Sequence, residues 1–79
     1  MSVARSHDYL ADIRRARSLT RLGLLIRAFG CHVTAYAPSS YTGEMLRDMI
    51  RDYDNHAHLV ERASSLREAR RMLREWGYV

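Results

Sequence analysis

The sequence predicts a mostly helical α+β fold in one small domain spanning residues 1–79. Apolar residues recur with helical spacing in three segments, as at Leu22, Leu25, Ile26 and Phe29. Residues 31–37 break this pattern with β-branched and aromatic side chains, which favour a strand. A chain of 79 residues has room for one hydrophobic core. The predicted order is helix, helix, strand, helix, strand, helix, and an all-α fold is the alternative.

Two helices are predicted before the first strand. Ser6 can accept a hydrogen bond as the N-cap of a first helix that runs to about Arg17, and Ser18 can cap the second helix in the same way. Gly30 follows the last apolar residue of the second helix. Because glycine adopts positive φ without a steric penalty, Gly30 is expected to end that helix.

The central part of the chain is predicted to hold two short strands and the helix between them. The first strand, residues 31–37, stops before a proline. Ser40 or Thr42 can cap the third helix, which closes near Asn55. Residues 57–63 fit either a second strand or another turn of helix. Two strands make a thin sheet, and a homodimer is one way to cover it.

The fourth helix carries the clearest start and stop signals. Ser65 and Glu68 fit a capping box, and Gly77 marks the C-terminus. Ten apolar residues on the inner faces of the predicted helices are expected to be mostly buried. They are Leu22, Leu25, Ile26, Phe29, Leu46, Met49, Ile50, Leu66, Leu73 and Trp76.

The charge of the chain indicates an acidic partner. All 13 basic residues are arginine, and the 9 acidic residues leave a formal net charge of +4. Arginine holds carboxylates and phosphates through two parallel hydrogen bonds. The expected partner is therefore an acidic protein surface or a nucleic-acid-associated complex, with weak nucleic-acid binding as one consequence.

Cysteine content and hydropathy indicate the compartment. Cys31 is the single cysteine, so an intrachain disulfide is excluded and a reducing environment is favoured. The sequence has neither the apolar core of a signal peptide nor an apolar run of membrane-spanning length. A cytoplasmic protein without membrane contact is expected.

The sequence contains no arrangement of residues that predicts catalysis, a metal or a cofactor. Its histidines and Cys31 lack the spacing of a zinc site. Cys31 and His32 are adjacent, and on a strand they would face opposite sides, so they do not make a nucleophile and its base. Gly23 alone stands where a dinucleotide-binding loop needs three glycines. We therefore expect a protein that is not an enzyme and that uses no cofactor.

Arginines form two clusters that are candidates for partner binding. Four of them lie at i, i+3, i+4 and i+7 on one stripe of the fourth helix, and two more lie in the first helix. These six residues are Arg67, Arg70, Arg71, Arg74, Arg14 and Arg15. Glu68 and Glu75 can pair with Arg71, so the stripe is either a docking surface or a solvated face.

The N-terminal quarter of the chain resembles a known family. The series Asp8-Tyr9-Leu10, Ile13-Arg14-Arg15-Ala16, Ser18-Leu19, Leu22 and Ile26 is similar to the first helices of the Hha/YmoA family of gene-expression modulators. This resemblance implies a small, helical, non-enzymatic protein that binds the nucleoid protein H-NS, with Arg14 and Arg15 near the partner or DNA. Residues 29–40 and the fourth helix have no counterpart in that pattern.

These observations favour a non-enzymatic basic protein that modulates or inhibits a larger bacterial assembly through protein–protein contacts. One alternative is a transcriptional regulator that binds nucleic acid directly through the same arginines. A further alternative is a phage-encoded inhibitor of a host defence complex, since the small basic format resembles anti-CRISPR proteins.

Overall fold

The computed structural model describes residues 8–79, which form four helices and contain no strand. The helices are α1 (Tyr9–Arg15), α2 (Leu19–Ala35), α3 (Gly43–Glu61) and α4 (Leu66–Trp76). The predicted α+β fold with two strands is therefore wrong, and the all-α alternative describes the chain. The predicted Ser6 cap lies outside the described residues, and Asp8 caps α1 through a bond from the Ala11 amide at 3.0 Å.

The predicted first strand, residues 31–37, mostly belongs to the second half of α2. Gly30 lies inside the helix, where it is buried and leaves room for the Tyr53 ring of α3. The Thr34 hydroxyl donates to the Gly30 carbonyl at 3.0 Å, a bond that exists only in the helical conformation. Gly30 thus serves close packing between helices and does not end α2.

The predicted second strand, residues 57–63, is mostly the last turn of α3. Ala57 and Val60 are fully buried and lie three residues apart, so a helix places both on the face that packs inward. A strand would turn them to opposite sides. The reason for expecting a homodimer, a thin sheet in need of cover, does not apply to this fold.

Four short-range helix signals were predicted correctly. Ser18, Thr42 and Ser65 each accept a bond from the backbone amide three residues later, at 3.0–3.1 Å. Gly77 follows α4 in the left-handed conformation, with φ of 88°. The capping box is shifted by one residue, since Glu68 accepts from the Ser64 amide at 2.8 Å and not from Ser65.

Helices α2 and α3 form an antiparallel hairpin, and α1 and α4 pack mainly against one end of it. We call residues 19–30 with 57–61 the base, and residues 31–56 the tip. The buried apolar side chains belong to the base, to α1, to α4 and to the segments that follow those two helices. They are Ile13, Ala16, Leu22, Leu25, Ile26, Ala57, Val60, Ala69, Leu73 and Tyr78.

The tip contains no buried residue. Among the predicted core residues, Leu22, Leu25, Ile26 and Leu73 are buried, whereas Ile50 is 46% exposed and its predicted burial is wrong. The remaining five are half-buried: Phe29, Leu46, Met49, Leu66 and Trp76. No helix within residues 8–79 is long and apolar enough to cross a membrane.

Candidate functional site: an arginine surface

One row of arginines on α4 faces solvent. Arg67, Arg71 and Arg74 are exposed on the side of α4 opposite the buried Ala69 and Leu73. They line a shallow depression together with Ser65 and Glu68. Because the row runs along a single helix, its guanidinium groups are spaced by successive helical turns.

The Arg70 side chain is held by hydrogen bonds to the backbone and joins α4 to the end of α1. Its guanidinium donates one hydrogen bond to the Arg14 carbonyl and another to the Ala16 carbonyl, each at 3.0 Å. These carbonyls belong to the last turn and C-cap of α1, where helical backbone acceptors lack an intrahelical partner. Arg70 therefore caps α1 and is held away from the exposed row.

This contact links the two helices that carry the predicted arginine clusters. Arg14 and Arg15 are exposed at the end of α1, which Arg70 fixes beside α4. Their positions in the sequence are more than fifty residues from the α4 row, so the sequence did not show that α1 and α4 are in contact. We call the five exposed arginines of these two linked helices the arginine surface: Arg14, Arg15, Arg67, Arg71 and Arg74.

Two carboxylates lie close to the arginine surface and differ in what they do. Glu75 accepts a hydrogen bond from Arg71 at 2.9 Å, as predicted. Glu68 instead accepts from the Ser64 amide and hydroxyl, and these bonds hold the pKa of its carboxyl below the usual value. Glu68 makes no hydrogen bond to Arg71, so only Glu75 is paired directly within the row.

A second charged cluster lies between α2 and α3, and sequence reasoning missed it. Arg27 of α2 donates to Asp54 Oδ1 at 2.8 Å and to Glu61 Oε2 at 2.6 Å. His58 approaches the same guanidinium, with Nδ1 3.3 Å from Arg27 Nη2. Asp54, His58 and Glu61 lie at i, i+4 and i+7, so they share one helix face only if α3 continues past Asn55. Gly23 leaves the space that the Glu61 carboxylate occupies.

The hydrogen bonds of this cluster shift the ionisation of its carboxyls. The bonds from Arg27 lower the pKa of both Asp54 and Glu61, although burial acts in the opposite direction. The bonds to Glu61 and Asp54 raise the pKa of Arg27. Because its guanidinium fills the space between the carboxylates, the cluster is an ion-pair contact between helices.

An aromatic cleft lies where the end of α4 meets the other three helices. His56 stacks on Trp76 with ring centroids 4.0 Å apart and ring planes 5° apart. The Tyr78 hydroxyl lies 2.9 Å from His56 Nδ1. Phe29 and Tyr53 continue the cluster through edge-to-face contacts with each other and with Tyr78. No local pattern in the sequence indicated this cleft, because its residues come from distant segments.

Burial sets the protonation of the cleft residues. It lowers the pKa of His56, although the charge of Asp52 acts in the opposite direction, so the ring is neutral at physiological pH. Burial also raises the pKa of the Tyr53 and Tyr78 hydroxyls, which keeps both protonated. The cleft has a volume of about 380 Å³, within the range of small-molecule sites.

Within residues 8–79, no group of three or more histidine, cysteine or acidic side chains is arranged to hold a metal ion. Cys31 is exposed on α2.

The chain has no significant match to any protein-family model, curated protein or solved structure. The resemblances to the Hha/YmoA family and to anti-CRISPR proteins stay predictions.

Proposed function

We propose that this chain is a non-enzymatic binding module that docks on an acidic protein surface of a larger bacterial assembly and modulates or inhibits that assembly. The observation that carries this proposal is the Arg70 contact, which holds the end of α1, with the exposed Arg14 and Arg15, against the helix that carries the exposed arginine row. Five exposed guanidinium groups on a chain of net charge +4 favour fast encounter with an acidic surface.

The pairing within the row favours a protein partner over nucleic acid. Glu75 lies one turn from Arg71 and binds it directly, so a carboxylate neutralises part of the positive charge at the C-terminal end of the row. A continuous phosphate backbone would be repelled at that point, whereas a protein can place a donor opposite Glu75 and carboxylates opposite the arginines. Arginine suits such mixed surfaces because its guanidinium binds carboxylates in a fixed geometry.

The test is a charge-reversal variant with a matched control. The triple variant Arg67→Glu, Arg71→Glu, Arg74→Glu alters only exposed residues of α4, and the control Arg47→Glu, Arg51→Glu reverses exposed charges on the tip. We expect nuclease-treated host lysate to yield a partner captured by the wild-type chain and the control, with association at least about tenfold slower for the triple variant. Equal capture by all three proteins would refute the proposal.

Direct nucleic-acid binding is the second candidate, and the position of Glu68 favours it. Since Glu68 caps α4, only Glu75 is paired with an arginine of the row. If the arginines contact phosphates, duplex DNA should bind with a steep salt dependence, and each Arg→Ala change should reduce the log–log slope by about 0.7–0.9. Glu75→Gln should then strengthen binding. Tight, salt-sensitive binding of DNA that Arg71→Ala weakens would replace the first proposal with this one.

A further inference from the structure

The aromatic cleft differs in charge from two other depressions on the protein surface. The depression on α4 is lined by Arg67, Arg71 and Arg74, and another between α2 and α3 is lined by Arg27, Arg47 and Arg51. The aromatic cleft has no arginine in its lining, and its one charged residue is Asp52. On a basic protein, this is a local site suited to a cation.

Asp52 is available to a ligand. Its side chain is exposed at the edge of the cleft, and it forms no ion pair with any residue between 8 and 79. Asp48, one turn earlier on α3, is instead paired with Arg51 at 3.3 Å. The neutral His56 ring adds no competing positive charge to the cleft.

The remaining lining is largely aromatic, and one of its polar pairs is already satisfied. Trp76, Tyr53 and Phe29 are half-buried, so parts of their rings face the open cleft. His56 Nδ1 and the Tyr78 hydroxyl satisfy each other. Aromatic rings attract cations through their negative faces, and tryptophan does so best. A primary ammonium would lose hydration that these rings do not replace, whereas an alkylated ammonium buries its methyl groups against them.

We propose that the aromatic cleft formed by Trp76, Tyr53, Phe29 and His56 binds an alkylated ammonium group, with Asp52 as its counter-charge. The cleft volume of about 380 Å³ exceeds the size of a trimethylammonium head, so the group can enter with part of the molecule or side chain that carries it. The site is separate from the arginine surface and does not depend on the partner of that surface.

The experiment uses Trp76, the only tryptophan of the chain, as the reporter. Choline and its uncharged carbon analogue 3,3-dimethylbutan-1-ol are titrated separately while tryptophan fluorescence is recorded. We expect a saturable change with choline and binding about tenfold weaker for the neutral analogue, the difference that a desolvated cation–π contact and a carboxylate provide. No saturable response to choline, or equal binding of both compounds, would overturn the proposal.

Matched variants separate the role of the carboxylate from that of the rings. Asp52→Asn should abolish the preference for the cation, whereas Asp48→Asn, an exposed residue of the same helix outside the cleft, should preserve it. A preference that survives Asp52→Asn unchanged would also overturn the proposal. Blocked trimethyllysine, titrated in parallel, distinguishes the sources: tighter binding than choline indicates a protein side chain, and weaker binding indicates a small molecule.

Discussion

The base and the tip of the α2–α3 hairpin are built from the same two helices and differ in what covers them. In the base, Leu22 is 1% exposed and Val60 is 0% exposed, because α1 and α4 complete the core. In the tip, Met45 is 44% exposed and Ile50 is 46% exposed. Helical periodicity therefore shows which side of a helix faces inward, but burial depends on whether another element reaches that side.

The largest expected effect separates the base core from the tip. Leu73→Ala removes a fully buried side chain and should lower the free energy of unfolding by about 2–5 kcal/mol. Ile50→Ala shortens a half-exposed side chain and should cost less than about 1 kcal/mol. Chemical denaturation followed by circular dichroism measures both, and equal losses would show that the tip is covered in solution.

A smaller effect, of opposite sign in the two variants, is expected at two glycines. An alanine Cβ at Gly30 would lie 2.7 Å from Tyr53 Cβ and Cγ, which cannot move without shifting α3. We expect Gly30→Ala to destabilise the fold by about 1–3 kcal/mol. At Gly43, in the first turn of α3, the nearest atom would be Arg47 Nη1 at 3.7 Å, so alanine should stabilise by about 0.5 kcal/mol.

Thermal unfolding of the two glycine variants against wild type gives the sign directly. If Gly30→Ala melts at or above the wild-type temperature, α2 and α3 are farther apart than described. If Gly43→Ala also destabilises the chain, the beginning of α3 has a constraint that the structure does not show.

The smallest expected effect is the pH dependence of the Arg27 cluster. The pKa of Asp54 and of Glu61 is lower in the folded chain than in the unfolded chain. The cluster therefore stabilises the fold above the unfolded-state values of about 4, and this contribution is lost as pH falls through the lower folded-state values. Arg27→Gln removes the donor and should make the loss of stability in acid less steep.

The control for this prediction is an ion pair of the tip. Arg51→Gln removes the pair with Asp48, whose side chain is 60% exposed, and should leave the slope unchanged. The measurement is the melting temperature from neutral pH to about pH 3. Parallel curves for wild type and Arg27→Gln would contradict the assigned role of the cluster.

Local signals predicted three N-caps and the end of α4, because a cap needs only residues a few positions apart. Ser18, Thr42, Ser65 and Gly77 stand where the sequence indicated. The predicted ends of α2 at Gly30 and of α3 near Asn55 are wrong, since these helices run to Ala35 and Glu61. Residues 31–37 were assigned to a strand because their β-branched and aromatic side chains favour extended structure locally. Packing of Gly30 against Tyr53, and of His32 against Tyr9 with ring centroids 5.4 Å apart, stabilises the helix instead.

The candidate site was predictable only where it lies on one helix. The spacing of Arg67, Arg71 and Arg74 predicted a shared face because helical geometry is local. The addition of Arg14 to that surface depends on Arg70 reaching a backbone carbonyl 56 positions away. The aromatic cleft likewise depends on four helices meeting, and no pattern of residue types within one segment encodes such a meeting.

The sequence separation of the Arg70 contact leads us to expect that this contact forms late in folding. The α2–α3 hairpin closes through a short loop. Arg70 instead bonds to carbonyls that lie 54 and 56 positions earlier in the sequence, and closing so long a segment costs more chain entropy. We expect the Arg70 contact to form after the hairpin and only when both α1 and α4 are present. A chain still emerging from the ribosome, or one shortened before α4, has arginines but no arginine surface. Under the proposed function, partner recognition through that surface therefore requires both α1 and α4.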